Sequence, residues 1–163
     1  MKLDSIWSKF EPVPERKLND LLLLNFDFHG EEFKDKKGRL LERLHEDYQG
    51  SQTLAIVALD EICWLLNLRG SDIEYNPVFY AYLLVQKDST ILFTDNPFSE
   101  SISEYFEENQ ITVKPYKDIW SCLHDSCVEL SKAEVAKTIL VPDTSSWQLI
   151  RQVTSVQFRT VHS

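Results

Sequence analysis

The clearest periodic pattern in the sequence begins at Glu31. Apolar side chains then recur on one face of a helical wheel, at Phe33, Leu40, Leu41, Leu44 and Tyr48. Gly50 stands where such a helix would stop. The pattern predicts one amphipathic helix. Residues 1–30 show no sustained period and are predicted to form a connection that packs along a surface.

Short apolar runs predict the strands. Thr53–Ala58 is rich in apolar and β-branched residues, as expected of a strand covered on both faces. Phe79–Gln86 and Ser89–Thr94 are separated only by Lys87 and Asp88, which predicts an antiparallel hairpin without the usual glycine. Two further short strands are predicted at Ile111–Lys114 and Thr138–Val141.

The remaining helices are predicted from caps and stripes. Asp60–Leu66 resembles a brief helix. Capping-box spacing, a serine followed three residues later by Glu or Gln, occurs at Ser101 with Glu104 and at Ser145 with Gln148. Asp118 is predicted to cap a third helix, whose apolar stripe comprises Ile119, Trp120, Leu123, Cys127 and Leu130.

The order of these elements predicts an α/β fold. A hairpin followed by alternating helices and strands implies a mixed sheet with helices on both faces, because right-handed crossovers place connecting helices over the sheet. The ribonuclease-H-like arrangement has this order.

Composition narrows the functional class. Seventeen Lys and Arg against 26 Asp and Glu give a net charge of −9, which disfavours binding to nucleic acid backbones. The longest apolar runs, such as Leu21–Leu24 and Phe79–Val85, are too short to cross a membrane. Three cysteines argue against a disulfide framework, and the first ten residues do not form a signal peptide. These features predict a cytoplasmic protein that binds neither nucleic acid nor membrane.

Catalytic and metal motifs are absent from the sequence. The histidines and cysteines match none of the usual zinc spacings, and no nucleophile-elbow motif occurs. A two-metal nuclease would need carboxylates on its first strand, which Thr53–Ala58 lacks. Asp60 and Glu61 are better explained as acidic residues at the positive end of the short helix, and Glu104 as part of a solvated face. We therefore predict no catalytic residue and no metal site.

One polar segment, Asn67–Pro77, stands between two strongly apolar segments and is longer than a simple connection needs. We expect Gly70 to permit a tight bend and Arg69 to contact Asp72. Loops of this kind often carry function. The candidate interface or substrate-channel residues are Asn67, Arg69, Gly70, Ser71, Asp72, Tyr75 and Asn76. The alternative is that Arg69 and Asp72 only tie the loop to itself or to the sheet.

A longer segment containing this loop carries a resemblance. Residues 58–85, ALDEICWLLNLRGSDIEYNPVFYAYLLV, closely resemble the middle domain of three-domain X-Pro aminopeptidases, the cytosolic aminopeptidase P branch of the creatinase/prolidase family. Weaker similarity runs from Asp4–Trp7 through Phe33–Lys36 to His162 and Ser163. Within the family, the chain most resembles a fungal member. The resemblance implies a creatinase N-terminal-type domain over residues 31–163, preceded by an interdomain linker segment over residues 1–30.

The resemblance also implies where the chemistry lies. Enzymes of this family remove an N-terminal residue that precedes proline, using water activated by two divalent ions, commonly manganese, on a separate C-terminal domain. None of those ligands can be placed on this chain, so the chain alone is expected to be inert. Its expected partners are the first and C-terminal catalytic domains of one parent polypeptide. The alternative is a regulatory protein of fungal iron signalling that keeps this scaffold to bind a protein partner.

Overall fold

The computed structural model describes residues 15–48, 51–131, 138–153 and 158–161. Its helices are α1 (Phe26–His29), α2 (Phe33–Asp47), α3 (Leu59–Leu65), α4 (Glu100–Glu108), α5 (Ile119–Ser131) and α6 (Trp147–Val153). Its strands are β1 (Leu22–Leu23), β2 (Ser51–Ile56), β3 (Leu68–Arg69), β4 (Tyr82–Gln86), β5 (Thr90–Phe93), β6 (Ile111–Lys114), β7 (Thr138–Pro142) and β8 (Phe158–Val161). The predicted helix stop at Gly50, the first half of the predicted connection and His162 lie outside the described residues, as do the side chains of Cys127 and Leu130.

Six strands form one mixed sheet in the order β6-β5-β4-β2-β7-β8. β4 runs antiparallel to β2 and β5, while the pairs β5–β6, β2–β7 and β7–β8 are parallel. The predicted hairpin between β4 and β5 is confirmed, with Leu83 opposite Leu92. Neither Lys87 nor Asp88 adopts a positive φ, and the Ser89 hydroxyl donates to Gln86 Oε1 at 2.6 Å beside the turn.

Helices cover both faces of this sheet, as predicted. On one face α2, α3 and α4 pack against side chains such as Leu54, Leu83 and Val85. On the other face α5 and α6 pack against Ala55 and Leu84. Neighbouring residues of one strand thus enter opposite cores, which explains the unbroken apolar runs of β2 and β4.

The predicted strand Phe79–Gln86 begins three residues later than expected, at Tyr82. The backbone of Tyr80 binds side chains instead of a neighbouring strand. Its N–H donates to Asp72 Oδ2 at 2.9 Å, and its carbonyl accepts from the Thr94 hydroxyl at 3.0 Å. Sequence periodicity does not reveal such a replacement.

Two of the three predicted helix caps are displaced by one or two residues. α4 begins at Glu100 after Ser99, so Ser101 lies inside the helix and the predicted capping box with Glu104 is wrong. At α6 the N–H of Leu149 lies 3.4 Å from the Ser146 hydroxyl, whereas the predicted cap, Ser145, is buried with no partner for its hydroxyl. Asp118 belongs to a short 3₁₀ turn before α5 and accepts through its carbonyl from the Ser121 hydroxyl.

The described part of the predicted connection contains short elements of regular structure, which the lack of a sustained period did not indicate. β1 pairs with β3 in a separate two-stranded sheet, with Leu22 opposite Arg69. α1 follows and ends at Gly30, whose φ is 67°. Leu21 is buried and its N–H donates to Pro97 O at 3.0 Å, so the segment packs along the domain surface.

Candidate functional site

The segment 67–77, called here the 67–77 loop, starts at the end of α3. Asn67 has a φ of 56°, a left-handed conformation that asparagine tolerates at a helix end. Its buried side chain accepts from Lys36 Nζ at 2.6 Å and donates to Glu31 O at 3.1 Å. Its carbonyl accepts from the N–H of Leu24 at 3.0 Å. Asn67 therefore joins α2, α3 and the N-terminal segment.

Three side chains from different parts of the chain satisfy the carbonyls at the end of α3. Arg69 Nη1 donates to Cys63 O at 3.1 Å, Lys36 Nζ to Trp64 O at 2.8 Å and the Tyr105 hydroxyl to Leu66 O at 2.9 Å. Two of the three donors are cationic, which suits the negative end of a helix. These contacts hold the start of the loop against the body of the domain.

Burial changes the proton affinities of two of these groups. The pKa of Lys36 is lowered, mainly because the amine is removed from water, although Glu31 opposes the change. The pKa of the Tyr105 hydroxyl is raised, again mainly by burial. Both groups donate hydrogen bonds to main-chain carbonyls, and these bonds hold α3 in place.

Gly70 is needed for a reason that differs from the predicted bend. Its φ is not positive, but a Cβ atom placed there would lie 2.5 Å from Phe79 Cβ and 3.0 Å from Val78 O. The loop therefore passes so close to the segment before β4 that only glycine fits. The Gly70 N–H donates to Pro77 O at 3.3 Å, which closes this approach.

Asp72 is the central acceptor of a buried polar network. Its carboxylate accepts from the N–H of Asn19 at 3.0 Å, the N–H of Tyr80 at 2.9 Å and Asn96 Nδ2 at 2.9 Å. Asn96 Nδ2 also donates to Asn19 O at 2.9 Å. The predicted contact between Arg69 and Asp72 is wrong, because Arg69 binds the end of α3 while Asp72 binds these amides. Asp72 thus ties the loop to the N-terminal segment and to the residues after β5.

The tip of the loop projects from the domain. Ile73 and Asn76 form an isolated bridge, in which the Asn76 N–H donates to Ile73 O at 3.1 Å. Between them Tyr75 is 98% exposed and has a φ of 63°. A tyrosine in this region of backbone space is uncommon, and it makes the tip a candidate contact surface.

The seven predicted residues therefore fall into two groups. Asn67 and Asp72 are buried anchors, and Arg69 and Gly70 fix the approach to the sheet. Ser71, Tyr75 and Asn76 are exposed. Asn19, Lys36, Asn96 and Tyr105 complete the site but were not predicted, because they lie far away in sequence. The sequence contains one indication of these residues. Lys36 is a lysine on the face of α2 that also carries the apolar residues Phe33 and Leu40.

Two cavities flank the C-terminal half of α2, of about 540 Å³ and about 600 Å³. Leu44 and Leu54 line both, and most of the surrounding side chains are apolar. Glu61 lines the first cavity, and its pKa is raised by burial and, to a smaller extent, by Asp60. A single carboxyl group with a raised pKa, next to an apolar wall, does not by itself form a catalytic site.

Within residues 15–48, 51–131, 138–153 and 158–161, no three His, Cys, Asp or Glu side chains lie where they could hold a metal ion. Asp60 and Glu61 occupy the first turn of α3, as predicted, and Glu104 is exposed on α4. Across the same described residues, no helix is both long and apolar enough to cross a bilayer.

Comparison with known proteins identifies a common domain. Residues 12–163 match the creatinase/prolidase N-terminal domain. The chain is 56% identical over 153 residues to the Saccharomyces cerevisiae protein named "Putative Xaa-Pro aminopeptidase FRA1", covering 91% of this chain and 20% of that protein. It is 32% identical to "Probable Xaa-Pro aminopeptidase P" of Colletotrichum graminicola, covering 93% of this chain and 25% of that protein. The chain thus spans a fifth to a quarter of the length of these curated relatives.

Solved structures share the fold. X-prolyl aminopeptidase from Caenorhabditis elegans, described as a cytosolic enzyme with a di-nuclear active site, superposes with a TM-score of 0.87 at 21% identity. That match covers 98% of this chain and 25% of the enzyme chain. A Xaa-Pro aminopeptidase structure from Streptococcus pyogenes gives a TM-score of 0.51 at 12% identity, covering 80% of this chain and 92% of that chain.

Proposed function

Because the chain belongs to the creatinase/prolidase N-terminal domain family, we propose that it is the non-catalytic middle domain of an X-Pro aminopeptidase. Such an enzyme removes the N-terminal residue that precedes proline. The observation that carries the proposal is the pair of coverages, since 91% of this chain matches only 20% of a relative named for this activity. The remaining length is where a catalytic domain would lie.

The metal chemistry belongs to that other part of the polypeptide. Two divalent ions, manganese by resemblance, would activate the attacking water there. The described residues of this chain do not fit such a centre, because they bring no three potential ligand side chains together. No catalytic step is therefore assigned to a residue of this chain.

The proposed role of this chain is that of a structural spacer that helps to position the substrate. The 67–77 loop suits that role because its base is fixed by Asn67 and Asp72 while its tip stays uncovered. We propose that Ser71, Tyr75 and Asn76 contact the first or the catalytic domain, or line the path of the substrate. We also propose a cytoplasmic location. It is supported by the family membership of the chain and by the free, buried thiol of Cys63.

The test is peptidase activity of the full-length parent protein supplied with manganese. We expect release of the first residue from an X-Pro peptide, no release from the matching X-Ala peptide, and loss of activity with a chelator. The 163-residue chain alone should release nothing under the same conditions. A full-length protein that folds, binds manganese and leaves X-Pro peptides intact would overturn the proposal and favour the scaffold alternative.

A further inference from the structure

The first of the two cavities beside α2 lies between α2, α3 and the sheet. Its volume of about 540 Å³ falls within the range of about 300–1,000 Å³ that is typical of small-molecule sites. Its walls are largely apolar and come from both helices and from the sheet, with Leu44 of α2, Leu65 of α3 and Leu54 of β2 among them. The cavity therefore has the size and the lining of a ligand site.

The cavity exists because α2 packs closely on the domain only near its start. Phe33 is buried there, whereas Leu44 and Tyr48 in the C-terminal half of the helix are only half-buried. On α3, the Trp64 side chain also borders the cavity and is 49% exposed, although that of its neighbour Leu65 is buried. An apolar space thus stays open that the surrounding described side chains do not fill.

The cavity lies where the connections of the sheet diverge. β2 and β7 are adjacent and parallel, and their last residues, Ile56 and Pro142, both line the cavity. After β2 the chain enters α3 on one face of the sheet, and after β7 it enters α6 on the other face. In open α/β sheets, ligands bind in the crevice at the carboxyl ends of strands whose connections diverge in this way.

Glu61 determines which charge the cavity favours. Arg43 is the only basic residue among the described residues that line the cavity, and its guanidinium already lies 3.7 Å from the Asp47 carboxylate. The Glu61 side chain is half-buried. Its pKa is raised mainly by burial and further by Asp60, and no basic side chain of the described residues opposes these two effects. Glu61 is therefore a carboxylate on an apolar wall without a compensating cation.

We propose that this cavity binds a small primary amine with an apolar body, whose ammonium group donates to the Glu61 carboxylate while the body packs against the leucine side chains. An ammonium group would compensate the charge that burial and Asp60 disfavour. An anionic head group would be repelled by Glu61 and Asp47, and a neutral one would leave the carboxylate without a cation. The site goes beyond the proposed function, because it depends on no peptidase activity.

Competition photolabelling of the full-length parent protein tests the site. The probe is a six-carbon primary amine with a diazirine in its chain, and the competitors are hexylamine, hexanol and hexanoate, which share the apolar body and differ in the head group. We expect the label on peptides that contain residues 40–48 or 54–65. Hexylamine should displace it at a concentration at least about tenfold lower than the other two, because a hydrogen bond between charged groups contributes that much. Labelling of other peptides only, or equal competition by all three, would overturn the proposal.

Glu61→Gln removes the charge and keeps the size of the side chain. It should raise the concentration of probe that gives half-maximal labelling by about tenfold or more. Glu104→Gln, which changes an exposed carboxylate on α4, should leave that concentration unchanged. If Glu61→Gln does not fold, the three competitors on the wild type decide alone. Unchanged labelling of a folded Glu61→Gln variant would overturn the proposal, as would a wild type that takes no label, since its cavity would then be closed to ligands.

Discussion

Gly70 carries the tightest steric constraint in the 67–77 loop. Gly70→Ala would place a methyl group 2.5 Å from Phe79 Cβ, so the loop and the segment before β4 must separate. We expect the free energy of unfolding, measured with urea, to fall by about 1–3 kcal/mol. Gly38→Ala is the matched control, because Gly38 lies inside α2 with nothing within 4 Å of the added atom. It should instead raise stability by about 0.5–1 kcal/mol, and a neutral Gly70 variant would show that the contact relaxes freely.

Single residues were predictable where their neighbours in sequence are also their neighbours in space. The sequence suggests a bend at Gly70, whereas the structure shows a close approach to Phe79, which the sequence does not place beside it. Asp72 was expected to bind Arg69, three residues away. It binds Asn96 instead, 24 residues away, because the fold brings an amide donor to a buried carboxylate that would be costly to leave without partners.

At the scale of elements, α2 is joined to α3 by a buried lysine. Lys36 Nζ donates to the end of α3, and it also lies 4.7 Å from the centroid of the Trp64 ring. Desolvation lowers the pKa of Lys36 in the folded protein below its unfolded value of 10.5. Between the two pKa values the unfolded chain binds more protons than the folded protein, so the lysine makes stability rise with pH there.

Lys36→Met isolates this effect from the other titrating groups. We expect the free energy of unfolding of the wild type to rise relative to that of the variant as the pH increases from neutrality toward 10.5, the unfolded value of the lysine. Lys34→Met, an exposed position on the same helix, should instead run parallel to the wild type. A difference between the wild type and Lys36→Met that stays constant with pH would contradict a lowered pKa. Urea unfolding at four or five pH values is sufficient.

Elements were predictable in kind and order because apolar period distinguishes helix from strand over eight or more residues. α2 follows from its apolar period, and the hairpin of β4 and β5 follows from two apolar runs separated by only two residues. Their ends did not, since serines are frequent before α4 and α6 and the helix start is decided by packing. β1 and β3 were not predictable, because two-residue strands have no period and form only when the fold brings Leu22 beside Arg69.

At the scale of the whole molecule, the antiparallel strand β4 determines where the candidate site lies. Because β4 opposes β2 and β5, the residues that enter it meet the carboxyl ends of those parallel strands. Open α/β sheets commonly bind ligands at this edge. In this protein, the Asp72 network and the base of the 67–77 loop lie at these carboxyl ends. The loop tip therefore projects from a rigid support.

Tyr75→Gly tests what that presentation does in the full-length protein. Glycine adopts the φ of 63° without strain, so the side chain is removed while the fold is kept, which a variant of buried Asp72 would not allow. If the tip contacts a neighbouring domain or the substrate, kcat/KM for an X-Pro peptide should fall by up to about tenfold, equivalent to about 1.4 kcal/mol. Gln110→Gly is the matched control, because Gln110 is also exposed, has a φ of 55° and lies before β6 at the opposite edge of the sheet. Equal kinetics for both variants and the wild type would reduce the 67–77 loop to a structural tie between the sheet and the N-terminal segment.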